Sequence, residues 1–227
     1  MIKAVIFDLD GTLLDRDASV QKFIAGQYDR LNKWVGHIPK GKYTARFIEL
    51  DSRGYVWKDI VYQQLVDEFT VTAITWESLL QDYIDQFKNC CIPFPNLISM
   101  LKGLKSKSIK LGIITNGKGK FQIDNINALG IKTYFETIIV SEWEGVKKPD
   151  PLIFKIALEQ LNVSPDESIY VGDHPENDVS AAQKAGMKGI WKKDSQWGSF
   201  ETDFIIDDLA DLPLIIERLR NECGKSS

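Results

Sequence analysis

Apolar and polar positions along this chain of 227 residues follow two different rhythms. The chain opens on a short apolar run, Val5-Ile6-Phe7, which gives way to Asp8-Leu9-Asp10-Gly11-Thr12-Leu13. A run of this length, with its charges only at the end, predicts a parallel strand buried on both faces. From residue 15 to 91 the rhythm changes. Val20, Phe23, Ile24, Leu31 and Trp34 recur at helical spacing with Gln27 as a polar interruption, and Asp17 is placed to cap the start. Further helical stretches run over 43–50, 60–69 and 79–87, separated by Gly36, Pro39, Gly54 and a threonine-rich break at 70–75. No strand pair is readable there, and a crossover between parallel strands normally needs far fewer residues. The expectation is a small α-helical domain, residues 15–91, inserted after the first strand of a core made of 1–14 and 92–227.

After Ile92-Pro93-Phe94-Pro95 the apolar runs return and alternate with helical spacing. Strands are predicted at 110–115, 137–141, 168–171 and 189–191, with an edge strand at 204–206. Helices are predicted at 96–105, 121–129 closed by Gly130, 151–161, 179–185 closed by Gly186, and 212–220. Glu222 to Ser227 reads as a frayed tail. Strands alternating with helices define an α/β core, a doubly wound and mostly parallel sheet with helices on both faces. Ligands of such sheets gather beyond the carboxyl ends of the strands.

Composition narrows the function classes. A net charge of −4 and a pI near 5.3 argue against a binder of nucleic-acid polymers or of membrane surfaces. Three cysteines, Cys90, Cys91 and Cys223, are an odd count with two adjacent, which is no disulfide framework and suits a reducing cytosol. Neither His37 nor His174 sits in a local signature that would pair it with a cysteine nucleophile. With no basic leader and no bilayer-length apolar run, the expectation is a soluble cytoplasmic protein.

The predicted strand ends carry the candidate chemistry. Alternate residues of a strand share a side, so Asp8 and Asp10 aim at one region. Such a pair is suited to a hard divalent cation, or to a carboxylate nucleophile with a second carboxylate as proton shuttle, or simply to an Asx-type turn. The second strand ends in Thr115-Asn116-Gly117, a hydroxyl and turn amides able to hold a phosphoryl oxygen. Lys147-Lys148-Pro149-Asp150-Pro151 follows the third, and Gly172-Asp173-His174-Pro175-Glu176-Asn177-Asp178 ends the fourth. Each stretch has an ordinary reading as a turn, cap or solvated loop. At the same end of successive strands they supply metal ligands, a nucleophile, a hydroxyl and a cation, the set that phosphoryl transfer requires.

The ordered set DLDGT (Asp8 to Thr12), ITNG (Ile114 to Gly117), KKPDP (Lys147 to Pro151) and GDHPEND (Gly172 to Asp178) resembles the four motifs of the haloacid dehalogenase-like hydrolase superfamily. The helical insertion is similar to the cap of its phosphoglycolate phosphatase and nucleotidase-like branches. The resemblance implies a Rossmann-like core and a phosphatase of small phosphorylated metabolites such as a nucleotide, a sugar phosphate or a phosphoglycolate-like ester. It implies Asp8 as a nucleophile forming an aspartyl-phosphate, Asp10 as general acid and base, and Thr115, Asn116, Gly117 and Lys148 as phosphoryl binders. Magnesium would be held by Asp8, Asp173 and the main-chain carbonyl of Asp10, with Asp178 supporting. Dehalogenases of the superfamily lack the second carboxylate of the first motif and need no metal, so Asp10 and the acidic fourth motif favour the phosphatase. Phosphonate cleavage through a cap lysine (Lys22, Lys33, Lys40, Lys42 or Lys58), phosphomutase chemistry, and a non-catalytic binding role are the alternatives. Arg46, Arg53, Tyr55, Trp57 and Lys58 are the candidate substrate contacts of the insertion.

Overall fold

The computed structural model describes residues 1–223, so the last four residues of the expected tail lie outside the described residues. The chain divides into two compact units, one of Met1–Asp15 with Pro93 onward, the other Arg16–Ile92.

The first strand, β1 (Ala4–Phe7), is buried along its whole length, as its apolar run requires. In the unit Arg16–Ile92 the helices are α1 (Arg16–Arg30), α2 (Asn32–Val35), α3 (Lys40–Asp51), α4 (Lys58–Glu68) and α5 (Trp76–Gln86). The periodicity read through Trp34 is broken at Leu31, where the chain tightens and Trp34 N–H donates to the Leu31 carbonyl at 2.8 Å. Asp17 does not cap: it lies in the first turn of α1, and its carboxylate pairs with Arg53 at 3.2 Å. The core of this unit is aromatic, with Phe23 edge-on to Tyr83 at 5.1 Å and Phe47 against Tyr62 at 5.4 Å. Burying each such ring is worth about 1.5–3 kcal/mol. Gln27, the polar interruption, is buried among them with every amide atom used. Its Nε2 donates to the Leu79 carbonyl (3.1 Å) and Asp82 (2.9 Å), and its Oε1 accepts from the Tyr62 hydroxyl at 2.8 Å. A polar group so satisfied costs little to bury.

In the other unit follow α6 (Leu97–Ser106), β2 (Lys110–Thr115), α7 (Gly119–Ala128), β3 (Thr137–Val140), α8 (Ser141–Glu144), α9 (Pro151–Leu161), β4 (Ser168–Gly172), α10 (Ala181–Lys184), β5 (Lys188–Lys192), β6 (Ile205–Ile206) and α11 (Leu212–Cys223). The six strands form one sheet in the order β3-β2-β1-β4-β5-β6, every pairing parallel. Ala4 and Ile6 of β1 pack with Ile114, Tyr170 and the inward residues Ile153, Phe154 and Ala157 of α9. Strand order reverses beside β1, and such a switch point opens a crevice at the carboxyl ends of the central strands. The helix expected at 179–185 begins earlier, as a wide turn over Pro175–Ser180 that runs into α10. Its cap is the His174 ring, whose Nδ1 accepts from the amides of Glu176 (3.1 Å) and Asn177 (3.2 Å). Among the described residues no helix is long and apolar enough to cross a membrane.

Candidate active site at the carboxyl ends of the central strands

Where β1 ends, the Asp8 amide still donates to the Val171 carbonyl of β4 at 2.9 Å, and the chain then turns on amides of Thr12, Leu13 and Leu14 that all point at the Leu9 carbonyl. Gly11 sits in this turn with φ +86°, and a Cβ there would lie 2.5 Å from the Asp173 carboxylate. Glycine is therefore demanded twice, by backbone conformation and by the approach of strand four's acid to strand one's turn.

Asp8 is buried. One carboxylate oxygen accepts from Lys148 Nζ at 2.6 Å and the other from the Thr12 hydroxyl at 3.3 Å. Lys148, equally buried, also donates to Asp178 Oδ1 at 2.6 Å and to the Tyr170 hydroxyl at 2.9 Å, which engages all three ammonium hydrogens. The other oxygen of Asp178 accepts from the His174 amide at 3.0 Å. Gly172 makes room for this arrangement, since a Cβ there would stand 2.4 Å from the Asp178 side chain. Asp173 is set by its own backbone, whose carbonyl accepts from Trp191 Nε1 at 2.8 Å.

Three carboxylates thus crowd one ammonium: ligand atoms of Asp8, Asp173 and Asp178 all lie within 4.8 Å of one another. Burial, partly opposed by Lys148 and reinforced by Asp178, pushes Asp8 up to about 7. Burial and then the charges of Asp8 and Asp178 hold Asp173 well above the usual carboxylate range. Burial works to lower Lys148, but Asp178 and Asp8 outweigh it and keep the ammonium charged. Acids that resist ionisation in an oxygen-only donor set are the signature of a place for a hard divalent cation, and the residues present fit one.

The strand-two turn is arranged differently from the expectation. Thr115 is buried beside the acids, and its hydroxyl accepts from Gln122 Nε2 at 2.8 Å. The Asn116 side chain clamps the backbone of Lys148, donating to its carbonyl at 3.0 Å and accepting from its amide at 2.9 Å. The Gly117 amide donates to Ser141 Oγ at 3.0 Å. The Asn116 side chain and the Gly117 amide thus tie the strand-two turn to the loop at Lys148 and to the start of α8, contacts between segments that are close only in the fold. Asp10 faces Gln122 of α7, whose Nε2 donates to its Oδ2 at 2.7 Å. Gln122, Thr12 and Tyr170 were not among the candidates. Gln122 and Asn125 occupy the buried face of α7 together with Ile126, and two amides on an inward helical face are the signal that would have found them.

In the other unit, Arg46 pairs with Glu68 at 2.7 Å and Glu49 at 2.8 Å, and Tyr55 is exposed. Trp57 stands edge-on to Tyr83 at 6.4 Å. Lys58 is buried in an ion pair with Asp51, and Lys40 pairs with Asp29 at 2.7 Å.

A parallel sheet with acids at the ends of the neighbouring strands β1 and β4 defines a class, and comparison with known proteins gives its family. The family model for haloacid dehalogenase-like hydrolases matches residues 5–192. Glyceraldehyde 3-phosphate phosphatase of Pyrococcus furiosus is 37% identical over 96% of this chain and 94% of its own. The crystal structure of a HAD phosphatase from Thermococcus onnurineus is 29% identical, covers 95% of this chain and 98% of its own, and superposes with a TM-score of 0.67. A 2-haloacid dehalogenase from Pseudomonas syringae is 27% identical, covers 96% and 100%, and has a TM-score of 0.66. The chain belongs to the haloacid dehalogenase-like hydrolases, in their phosphatase branch.

Proposed function

We propose that this hydrolase cleaves a small phosphomonoester with magnesium and passes through an aspartyl-phosphate on Asp8. The observation that carries the reading is the buried cluster of Asp8, Asp173 and Asp178 around the ammonium of Lys148. A dianionic phosphoryl group entering such a cluster needs positive charge beyond one lysine. Asp8, Asp173 and the main-chain carbonyl of Asp10 would hold magnesium, which would supply that charge and favour the ionised Asp8 carboxylate.

The remaining steps belong to the chain's own residues. An Asp8 oxygen attacks phosphorus, the ester oxygen departs, and Asp10 protonates it. Asp10, now a carboxylate, takes a proton from the water that attacks the phosphoryl-aspartate, and so returns to its acid form. Lys148 and the Thr115 hydroxyl face the transferring oxygens, where charge is redistributed in the transition state. Asp178 keeps Lys148 in place with a 2.6 Å ion pair.

Likeness to a 2-haloacid dehalogenase makes carbon–halogen cleavage the reading to be displaced. A halide leaves without a proton, so an acid held ready to protonate the leaving group would have no task in that first step. The named relatives point to a small phosphorylated substrate, and a triose phosphate heads the esters worth assaying. Purified protein offered triose phosphate, nucleoside monophosphates, sugar phosphates, phosphoglycolate and 2-chloropropionate should release phosphate in a magnesium-dependent manner and no halide. Halide release without phosphate release would contradict the proposal.

A further inference from the structure

We infer that Gln122 is a positioning residue that decides which oxygen of Asp10 carries the transferable proton; the inference rests on the phosphatase reading above. Gln122 is buried and projects from α7. Its Nε2 donates to Asp10 Oδ2 at 2.7 Å and to Thr115 Oγ1 at 2.8 Å, with the Asn116 carbonyl further off at 3.3 Å. Its Oε1 accepts from Asn125 Nδ2 at 3.3 Å. The direction of the amide is dictated by these partners. The Asn116 carbonyl only accepts whatever the protonation of Asp10, so the reversed amide would set oxygen against oxygen there.

Two consequences follow from this orientation. A carbonyl-type oxygen accepts a hydrogen bond far better than the hydroxyl oxygen of a carboxylic acid. With an N–H fixed on Oδ2, the acid form of Asp10 therefore carries its proton on Oδ1. When Asp8 bonds to phosphorus and the P–O(ester) bond breaks, the Oδ1 proton passes to the departing oxygen, the alcohol leaves neutral, and Asp10 is left a carboxylate. The second N–H is accepted by Thr115 Oγ1, so the Thr115 hydroxyl must turn its own hydrogen elsewhere, toward a phosphoryl oxygen. One primary amide thus orients both the acid of the first step and a donor to the transferring group. The close fit is visible at Gly117, where a Cβ would lie 2.8 Å from Gln122 Nε2.

Leaving-group dependence tests this, because a residue that only supports the fold cannot make an enzyme sensitive to the basicity of a departing oxygen. The full chain is assayed with magnesium on p-nitrophenyl phosphate, whose phenolate leaves unaided, and on glycerol phosphate, whose alkoxide needs a proton. Asp10→Asn serves as the reference for a missing acid. Gln122→Met, similar in volume but without N–H, should lose about 10- to 100-fold in kcat/KM on the alkyl ester and under about 3-fold on the aryl ester. Gln122→Glu keeps the shape and should show the same selective loss if the methionine variant does not fold. Equal losses on both esters, or none, in a folded Gln122 variant while Asp10→Asn is selective would overturn the inference alone. Equal losses on both esters in Asp10→Asn would overturn the phosphatase roles and this inference with them.

Discussion

Among the described residues a buried charge cluster in each unit can be set against the other, and the two are built on opposite balances. In the helical unit Arg16 donates to both oxygens of Asp51 at 2.9 and 2.8 Å, and Lys58 pairs with the same carboxylate. The Lys58 ammonium also lies over the rings of Trp57 and Tyr83, at 5.8 and 5.4 Å, whose negative faces suit a cation. In the α/β unit the carboxylates of Asp8, Asp173 and Asp178 gather beside Lys148, and Asp8 and Asp173 are both pushed upward. Burial of charge is common to the two and so does not mark a site. An excess of negative charge does, because a bound cation is what offsets it and lets an anionic group enter.

The largest effect should come from breaking the acidic cluster at its centre. Asp8→Asn removes the attacking oxygen and should cost at least ~10³-fold in kcat, measured on the ester that wild type turns over best, with folding checked by circular dichroism. Near wild-type turnover in a folded variant would reassign the nucleophile. Asp51→Asn makes the opposite cut: it strands Arg16 and Lys58 without their carboxylate. It should cost about 3–5 kcal/mol of stability in denaturant unfolding, the usual penalty for orphaning a buried ion pair. The rise in Tm on adding magnesium should survive it, and loss of that increment would place the cation dependence in the wrong cluster. Thr115→Ala removes one donor to the transferring group and should cost less, about 10- to 100-fold in kcat, with about 1 kcal/mol of stability lost with the Gln122 hydrogen bond.

The smallest and sharpest difference lies in pH. Asp8 titrates at about 7 in the folded chain against 3.8 for an ordinary aspartate. Across that window the folded state binds a proton that the unfolded chain has released. The group therefore subtracts stability as pH rises from about 4 to about 7 in metal-free protein. Magnesium must displace that proton, so its affinity climbs over the same window. The gap in Tm between magnesium and chelator should widen from pH 5 to pH 7.5. A gap that stays constant would mean that Asp8 is not a ligand.

Strand ends were legible because they are local. The run 110–115 is read with the limits it has, and Asp8, Thr115 and Asp173 stand where an apolar run turns polar, whereas the choice of Lys148 over Lys147 rests on the resemblance. They converge because parallel strands present the same end. Legibility failed where a local rule had a competitor in space. Pro175 begins a helix four residues before the apolar periodicity does, because the His174 ring caps it. Gly117 looked like a free turn amide until Ser141, 24 residues later, engaged it. Tyr170 was hidden within a buried apolar run, where a hydroxyl that meets Lys148 reads like any other core aromatic.

The account's central claim is the covalent bond between Asp8 and phosphorus. A single turnover in heavy-oxygen water, followed by mass analysis of the released phosphate and of the peptide containing Asp8, tests it most directly. If water attacks the phosphorus of a phosphoryl-aspartate, the label enters phosphate and the Asp8 carboxylate stays unlabelled. Heavy oxygen in the Asp8 side chain, as an ester broken at carbon would leave it, would contradict the mechanism.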